Sequence, residues 1–294
     1  MKILITCSGT KGVLSPFVRE QMEALSKIGA EVNLFQIKKK GIFGYLADFR
    51  SFKKEILDKK PDIIHDPYGL SGLFANLQRK VPVIVTYHGS DINVLKILFF
   101  SKISMLLSKK NIFVSKQLEK KAKSKRSTVI PCGIDLDVFK LLDKSESRTK
   151  MGLNLNKKYI LFSSSFAYPV KNYTLAKIAI SKLDNLEIDL VELKGYTREQ
   201  VVLLMNAVDL ALLTSLNEGS PQFIKEAMAC NLPIVSTMVG DVEEVIGNSE
   251  GCYLSSFNPE NVAEKIDMAL KFDGRTKGRE KIKRFDNKII ASQI

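Results

Sequence analysis

Residues 209–236, DLALLTSLNEGSPQFIKEAMACNLPIVS, decide the fold. The run 209–213 is short, apolar and bounded by a polar loop, as a buried strand is. The loop carries Glu218 and Gly219, and a helix starts near Ser220 and Pro221 and runs to Ala229. A second apolar run, 233–236, follows. Strand, helix and strand at this spacing make a βαβ unit, which lays the two strands parallel.

The same alternation extends outward in both directions. The spacing predicts strands over 3–6, 32–37, 62–65, 82–87, 111–114 and 128–131, and a second series over 159–163, 186–193, 209–213, 233–236 and 252–254. Helices are predicted over 172–183, 198–207, 221–229 and 259–270, and the basic stretch 275–294 is helical in pattern. Near the start, Ser15 can cap a helix with Pro16 at its first position; Val18, Met22 and Leu25 share one face, and Gly29 stops it. Residues 140–158 are polar and weakly periodic and read as a linker with a short helix. The expectation is α/β: two doubly wound Rossmann-like domains facing a cleft, 1–139 and 140–274, with 275–294 as a final helix. Ligands then bind at the carboxyl ends of the strands.

Composition agrees. The 294 residues suit two domains, and 45% apolar with 26% charged residues is ordinary globular usage. Cys7, Cys132, Cys230 and Cys252 form no C-x-x-C pair, which speaks against a disulfide framework or zinc site and for a reducing cytoplasm. The first residues lack a signal-peptide core. The most apolar run, 92–107, is interrupted by Lys96 and Lys102 and is too short to span a bilayer, so it is a core helix or an interfacial one. Residues 1–130 hold 24 Lys and Arg against 10 Asp and Glu, so the whole excess charge of +13 sits in the first half. A one-sided field suits an anionic partner. No nucleic-acid motif accompanies it, so nucleic acid is not expected.

Several positions could carry chemistry. SGTKG, 8–12, follows a strand and precedes a helix; its N–H groups could approach a diphosphate, or its glycines could serve turn geometry alone. In VTYHGSD, 85–91, His88 stands just past a strand end on an open loop, while His65 is the structural alternative. Glu218 precedes the 221–229 helix and Glu226 lies inside it. A carboxylate can accept from paired sugar hydroxyls, and the helix N-terminus can hold phosphate. Asp135 and Asp137 mimic a D-x-D metal motif, but hard cations gather more oxygen ligands than two, so no metal is expected.

Taken together these segments resemble the retaining nucleotide-sugar glycosyltransferases of family four, the group 1 transferases with the GT-B fold. SGTKG is similar to the family's glycine loop, and PDIIH and TYHGSD to its central N-domain strands. NIFVS with VIPCGIDLDVF resembles its passage into the second domain, and PVKNY its basic phosphate motif. EGSPQFIKE resembles its Glu-x7-Glu motif and VGDVEEVI its GG-x-x-E segment. The resemblance spans nearly the whole chain. It implies that Lys171 faces the donor diphosphate, with the Gly12 backbone opposite. Glu218 would meet the donor sugar hydroxyls and Glu226 the nucleotide ribose. Gly219, Ser220, Pro221 and Gln222 would offer backbone groups at the helix start, and His88 would lie beside the transferred sugar. The implied reaction moves a sugar from a UDP- or GDP-linked donor to a glycan or lipid-linked acceptor in cell-surface polysaccharide synthesis. It would need no cofactor and no metal.

Three departures qualify that expectation. SSSFAYPVK, 163–171, has no Arg where the family commonly has one, which shifts phosphate stabilisation to Lys171 and to hydroxyls such as Ser164 or Ser165. The stretch between PVKNY and ELKGYTREQ is short, so the base-binding wall would be reduced. The family's last helix crosses back to the first domain, and the resemblance implies the same return for 275–294, where that helix would be short. The alternative is a catalytically weak sugar-nucleotide-binding subunit of a polysaccharide assembly complex; an epimerase on the same plan is a further rival. The segment 36–60 holds eight Lys and Arg against three acids, with Ile42, Phe43, Tyr45, Leu46, Phe49 and Phe52 interleaved. It leads to the expectation that the basic half rests on an anionic membrane, at the inner face of the cell membrane.

Overall fold

The computed structural model describes residues 1–8, 14–38, 41–183, 187–272 and 274–294. Two compact units emerge: 1–133 with 287–294, and 134–286. The expected boundaries at 139/140 and 274/275 differ because Phe139 is fully buried and 275–286 pack within the second unit, where Arg279 donates to the carbonyls of Leu136 and Ala229.

The first unit runs β1 (Lys2–Ser8), α1 (Pro16–Lys27), β2 (Glu31–Ile37), α2 (Gly41–Lys59), β3 (Ile63–Asp66), α3 (Gly69–Asn76), β4 (Val83–Tyr87), α4 (Ser90–Asn93), α5 (Leu95–Leu107), β5 (Lys110–Phe113), α6 (Lys116–Ala122) and β6 (Ser127–Val129). Its six strands are all parallel, in the order β2-β1-β3-β4-β5-β6. Their central residues are apolar on both faces because helices cover both. Tyr45, Phe49 and Phe52 of α2 turn inward onto Phe74 and Leu4, so three of the aromatic residues interleaved with the 36–60 charges belong to the core. In α3, Gly69 and Gly72 are required by close approach: a Cβ on Gly69 would stand 2.2 Å from Ser101 Oγ, and one on Gly72 2.7 Å from Val85 Cγ2.

The second unit runs α7 (Lys144–Met151), β7 (Lys158–Phe162), α8 (Tyr173–Ile180), β8 (Ile188–Glu192), α9 (Arg198–Ala207), β9 (Leu210–Leu213), α10 (Gln222–Ala229), β10 (Ile234–Thr237), α11 (Val242–Ile246), β11 (Cys252–Ser255), α12 (Pro259–Lys271) and α13 (Gly278–Ile282). The parallel order is β11-β10-β9-β7-β8. The short helix expected within 140–158 is α7, and it is tied into the second unit where a linker was expected. Arg148 is buried in α7, donates through Nη2 to Asp209 Oδ2 (2.8 Å) and through Nε to the Ala207 carbonyl (2.9 Å). Burial would raise the Asp209 carboxyl, but Lys144, the Tyr159 N–H and the Arg148 charge hold it below the usual carboxylate range. The chain then returns: α14 (Asn287–Ala291) packs on α1 and places Ala291 in the cluster of Ile3, Ile5, Val18 and Leu25.

Candidate donor site on the second sheet

In the second sheet β7 lies between β8 and β9, so the chain leaves it to opposite sides and opens a crevice at the carboxyl ends of β7 and β9. Two loops line it, 163–172 and 214–221. Thr214 Oγ1 donates to the carbonyls of Lys171 (2.9 Å) and Asn172 (3.0 Å), and the Leu216 N–H to that of Val170 (2.9 Å). This stitching brings Lys171 Nζ to 2.6 Å from Glu218 Oε1, which also accepts from Ser215 Oγ (2.7 Å). Both partners are less than one-fifth exposed, so their attraction is stronger than a surface pair's.

The loop 214–221 ends at α10. Pro221 is its N-cap and caps no N–H with a side chain, and no acid stands in the first turn. The N–H groups there keep the positive end of the helix available to an anion. Pro221 itself has no N–H, so of the four positions 219–222 only Gly219, Ser220 and Gln222 can offer one. Glu226 is 5% exposed, one turn inside α10. Arg198 Nη1, at the start of α9, donates to its Oε1, and the guanidinium lies over the Phe139 ring at 4.3 Å. Burial pushes the Glu226 carboxyl up, and Arg198 opposes it.

Beneath the loop sits a group the sequence did not reveal. Lys225 is fully buried; its Nζ donates to Asp241 Oδ2 (3.0 Å) and to Ser220 Oγ, and Ser220 Oγ donates to the same Asp241 oxygen (2.5 Å). Gly240, at φ +61°, lets this segment back onto the loop: a Cβ there would meet the Gly219 carbonyl oxygen at 2.5 Å. The only signals in the sequence were a Lys amid apolar helix residues and an Asp after a glycine, and neither names its partner. Arg198 escaped for the same reason.

The other candidates fall elsewhere. Gly12 lies outside the described residues. His88 follows β4 in the first unit; its N–H donates to Asp91 Oδ2 (3.0 Å), its ring meets Phe17 at 4.6 Å, and Nδ1 is 3.5 Å from Cys132 Sγ. His65 is structural: fully buried, 2.8 Å from Thr86 Oγ1, with burial lowering its pKa to about 4. Ser165 Oγ donates to Glu192 Oε1 (2.7 Å), so that hydroxyl is engaged. Asp135 Oδ1 accepts from the N–H groups of Asp137 and Val138, a local turn. Among the described residues no three His, Cys, Asp or Glu gather as metal ligands would.

Residues 158–271 match the family model for glycosyl transferases group 1, and 13–138 match that for glycosyltransferase family 4. The two matches together take in most of the chain, which belongs to the group 1, family 4 glycosyltransferases. TuaC of Bacillus subtilis, assigned to teichuronic acid biosynthesis as a glycosyltransferase, is 27% identical over 71% of this chain, an alignment covering 61% of TuaC. The chain therefore spans less than two thirds of that relative. Sucrose-phosphate synthase of Thermosynechococcus elongatus superposes with a TM-score of 0.82 at 18% identity, over 99% of this chain and 96% of that one. HepE of Anabaena, solved with UDP, superposes with 0.77 at 16% identity over 100% and 98%. Both likenesses give the chain the GT-B fold.

Proposed function

We propose that this transferase moves a sugar from a nucleotide-linked donor to a glycan or lipid-linked acceptor in cell-surface polysaccharide synthesis, with retention of configuration. The observation that carries the reading is the Lys171–Glu218 pair beside the uncapped start of α10, at the switch point of the second sheet. A nucleoside diphosphate suits it. Lys171 and the N–H groups of Gly219, Ser220 and Gln222 meet the diphosphate and, as the glycosidic bond breaks, the charge that develops on it. Such donors are fixed before reaction and need no metal. Glu218 accepts from the sugar hydroxyls. Glu226, oriented by its hydrogen bond from Arg198, accepts from both ribose hydroxyls. His88 lies beside the transferred sugar. UDP is the first donor base to test, since HepE is solved with UDP and with UDP-glucose; GDP is the second. The placement proposed for the protein is cytoplasmic, peripheral at the inner face of the membrane, with the basic first half toward anionic lipid.

Thermal shift with UDP, GDP, ADP and CMP identifies the base, since a ligand at 100 times its Kd stabilises by about 2.7 kcal/mol. Hydrogen bonds to charged groups contribute about 1.5–3 kcal/mol, so Lys171→Ala and Glu226→Ala should each weaken the preferred nucleotide by roughly tenfold or more. Unchanged affinity in both variants overturns the site. Transfer should persist in excess chelator; loss that manganese or magnesium restores overturns the metal-free mechanism. Tight nucleotide binding without turnover points instead to the binding-subunit alternative, which the lack of an Arg in 163–170 favours.

A further inference from the structure

Helix α5 turns a row of large apolar side chains away from its own unit. Its protein-facing side carries Ser101, Ser104 and Met105, all buried, and the two serines pack on Gly69 and Gly72 of α3. Four of its large apolar residues face away, Leu95 at 82% exposed, Phe99 at 64%, Leu106 at 79% and Phe100 at 39%, while Ile97, Leu98, Ile103 and Leu107 are half-buried and Leu98 packs on the core. At 100° per residue, Leu95, Phe99 and Leu106 fall within about 40° of one another and form a single outward stripe. A soluble helix normally places its wide apolar face toward the core. Scattered exposed apolar residues are unremarkable, but a contiguous stripe is an interaction surface.

The charge around the stripe selects its occupant. Lys102 borders it on one side and Lys96 on the other, and both are exposed. No Asp or Glu occurs from residue 92 to 118, a stretch with five lysines. The following helix α6 adds Lys120 and Lys121, and Lys121 Nζ donates to Asn93 Oδ1 (2.8 Å), which ties α6 to the turn that opens α5. Lysines rimming an apolar stripe can keep their ammonium groups at lipid phosphates while the stems follow the apolar residues downward. At 13 residues α5 is too short to cross a bilayer, and no described helix is long and apolar enough to do so.

We infer that α5 lies flat in the interface of an anionic membrane, with Leu95, Phe99 and Leu106 inserted among the acyl chains and Lys96 and Lys102 at the phosphates. This rests on the peripheral placement proposed above and relocates its anchor. Basic residues of 36–60 add attraction at a distance, while Tyr45, Phe49 and Phe52 are committed to the core.

The chain has no Trp, so Phe99→Trp supplies a single fluorophore on the stripe. With phosphatidylglycerol–phosphatidylcholine vesicles its emission should shift to the blue and be quenched by lipids brominated on the acyl chain; with phosphatidylcholine alone at physiological salt it should stay unshifted. Leu95→Gln/Phe99→Gln/Leu106→Gln, all at exposed positions, should lower partitioning into anionic vesicles roughly tenfold or more, from the area each side chain would have buried. Lys96→Gln/Lys102→Gln should weaken binding and flatten its salt dependence. UDP thermal shift on the triple variant should match the wild type, which separates this test from that of the donor site. Vesicle binding that survives the triple substitution overturns the α5 anchor and leaves the peripheral placement standing. No binding of the wild type to anionic vesicles overturns both. A lipid-free, concentration-dependent dimer that the triple variant abolishes assigns the stripe to a second copy and also overturns the inference.

Discussion

Lys171 and Glu218 neutralise each other, and each is needed by a different part of the proposed donor. A nucleoside diphosphate must draw Lys171 off the carboxylate and also tolerate that carboxylate's charge. Glu218→Gln should therefore tighten free UDP several-fold while cutting sugar transfer, an opposition that calorimetry with UDP and a transfer assay would display together; equal losses in both would contradict it. His65 gives a second prediction. Its folded pKa of about 4 lies below the ordinary 6.5, so the folded protein refuses a proton that the unfolded chain accepts. Stability from the neutral ring is present above pH 6.5 and is lost as pH falls toward 4. Between pH 7 and pH 5 the wild type should lose about 2 kcal/mol relative to His65→Asn. Urea titrations of both proteins check this, and the comparison cancels the neighbouring Asp66, whose carboxyl burial raises. A gap that does not change with pH would refute it.

The element scale is where the sequence was most and least legible. Strands that are apolar throughout and helices opened by Pro or a capping Thr or Asn announce themselves locally, which is why the βαβ alternation, the loops bearing Lys171 and Glu218, and the helix bearing Glu226 were readable. Side chains whose partners come from other elements were not. α7 was legible as a short helix in a linker, but its purpose, bringing Arg148 to Asp209, was not, because the partner lies 61 residues on. α5 is apolar nearly all round, so its pattern named no buried face; Gly69 and Gly72 of α3 choose that face by admitting only small residues. Lys225 is the clearest instance, a charge inside α10 that depends on the start of α11. Lys225→Met should cost about 3–5 kcal/mol by stranding Asp241 in the interior. Lys225→Met/Asp241→Leu should recover most of that in denaturant titrations, while nucleotide affinity stays reduced because Ser220 and its loop lose their tether. Full recovery of affinity would limit the pair to a stabilising role.

At the scale of the whole molecule, the second unit interrupts the first: β6 ends at Val129, and α14 supplies the closing piece only after residue 286. Ile290 and Ala291 are buried there, and Ile294 packs against the same cluster. Deleting 287–294 should destabilise the first unit by about 2–4 kcal/mol, from roughly 1.5–3 for one buried isoleucine and the smaller contacts around it. Calorimetry should show one transition moving down and the other staying in place; two unmoved transitions would refute the assignment of α14. The interruption also orders events in time. A ribosome must add the 153 residues from 134 to 286 between the last strand of the first unit and its closing helix, which takes roughly 8–30 s at typical elongation rates. The unit whose strands emerge ahead of the second unit is thus completed only after it. During that interval Ile3, Ile5 and Val18 stand without their cover, and a nascent-chain chaperone has its opportunity there.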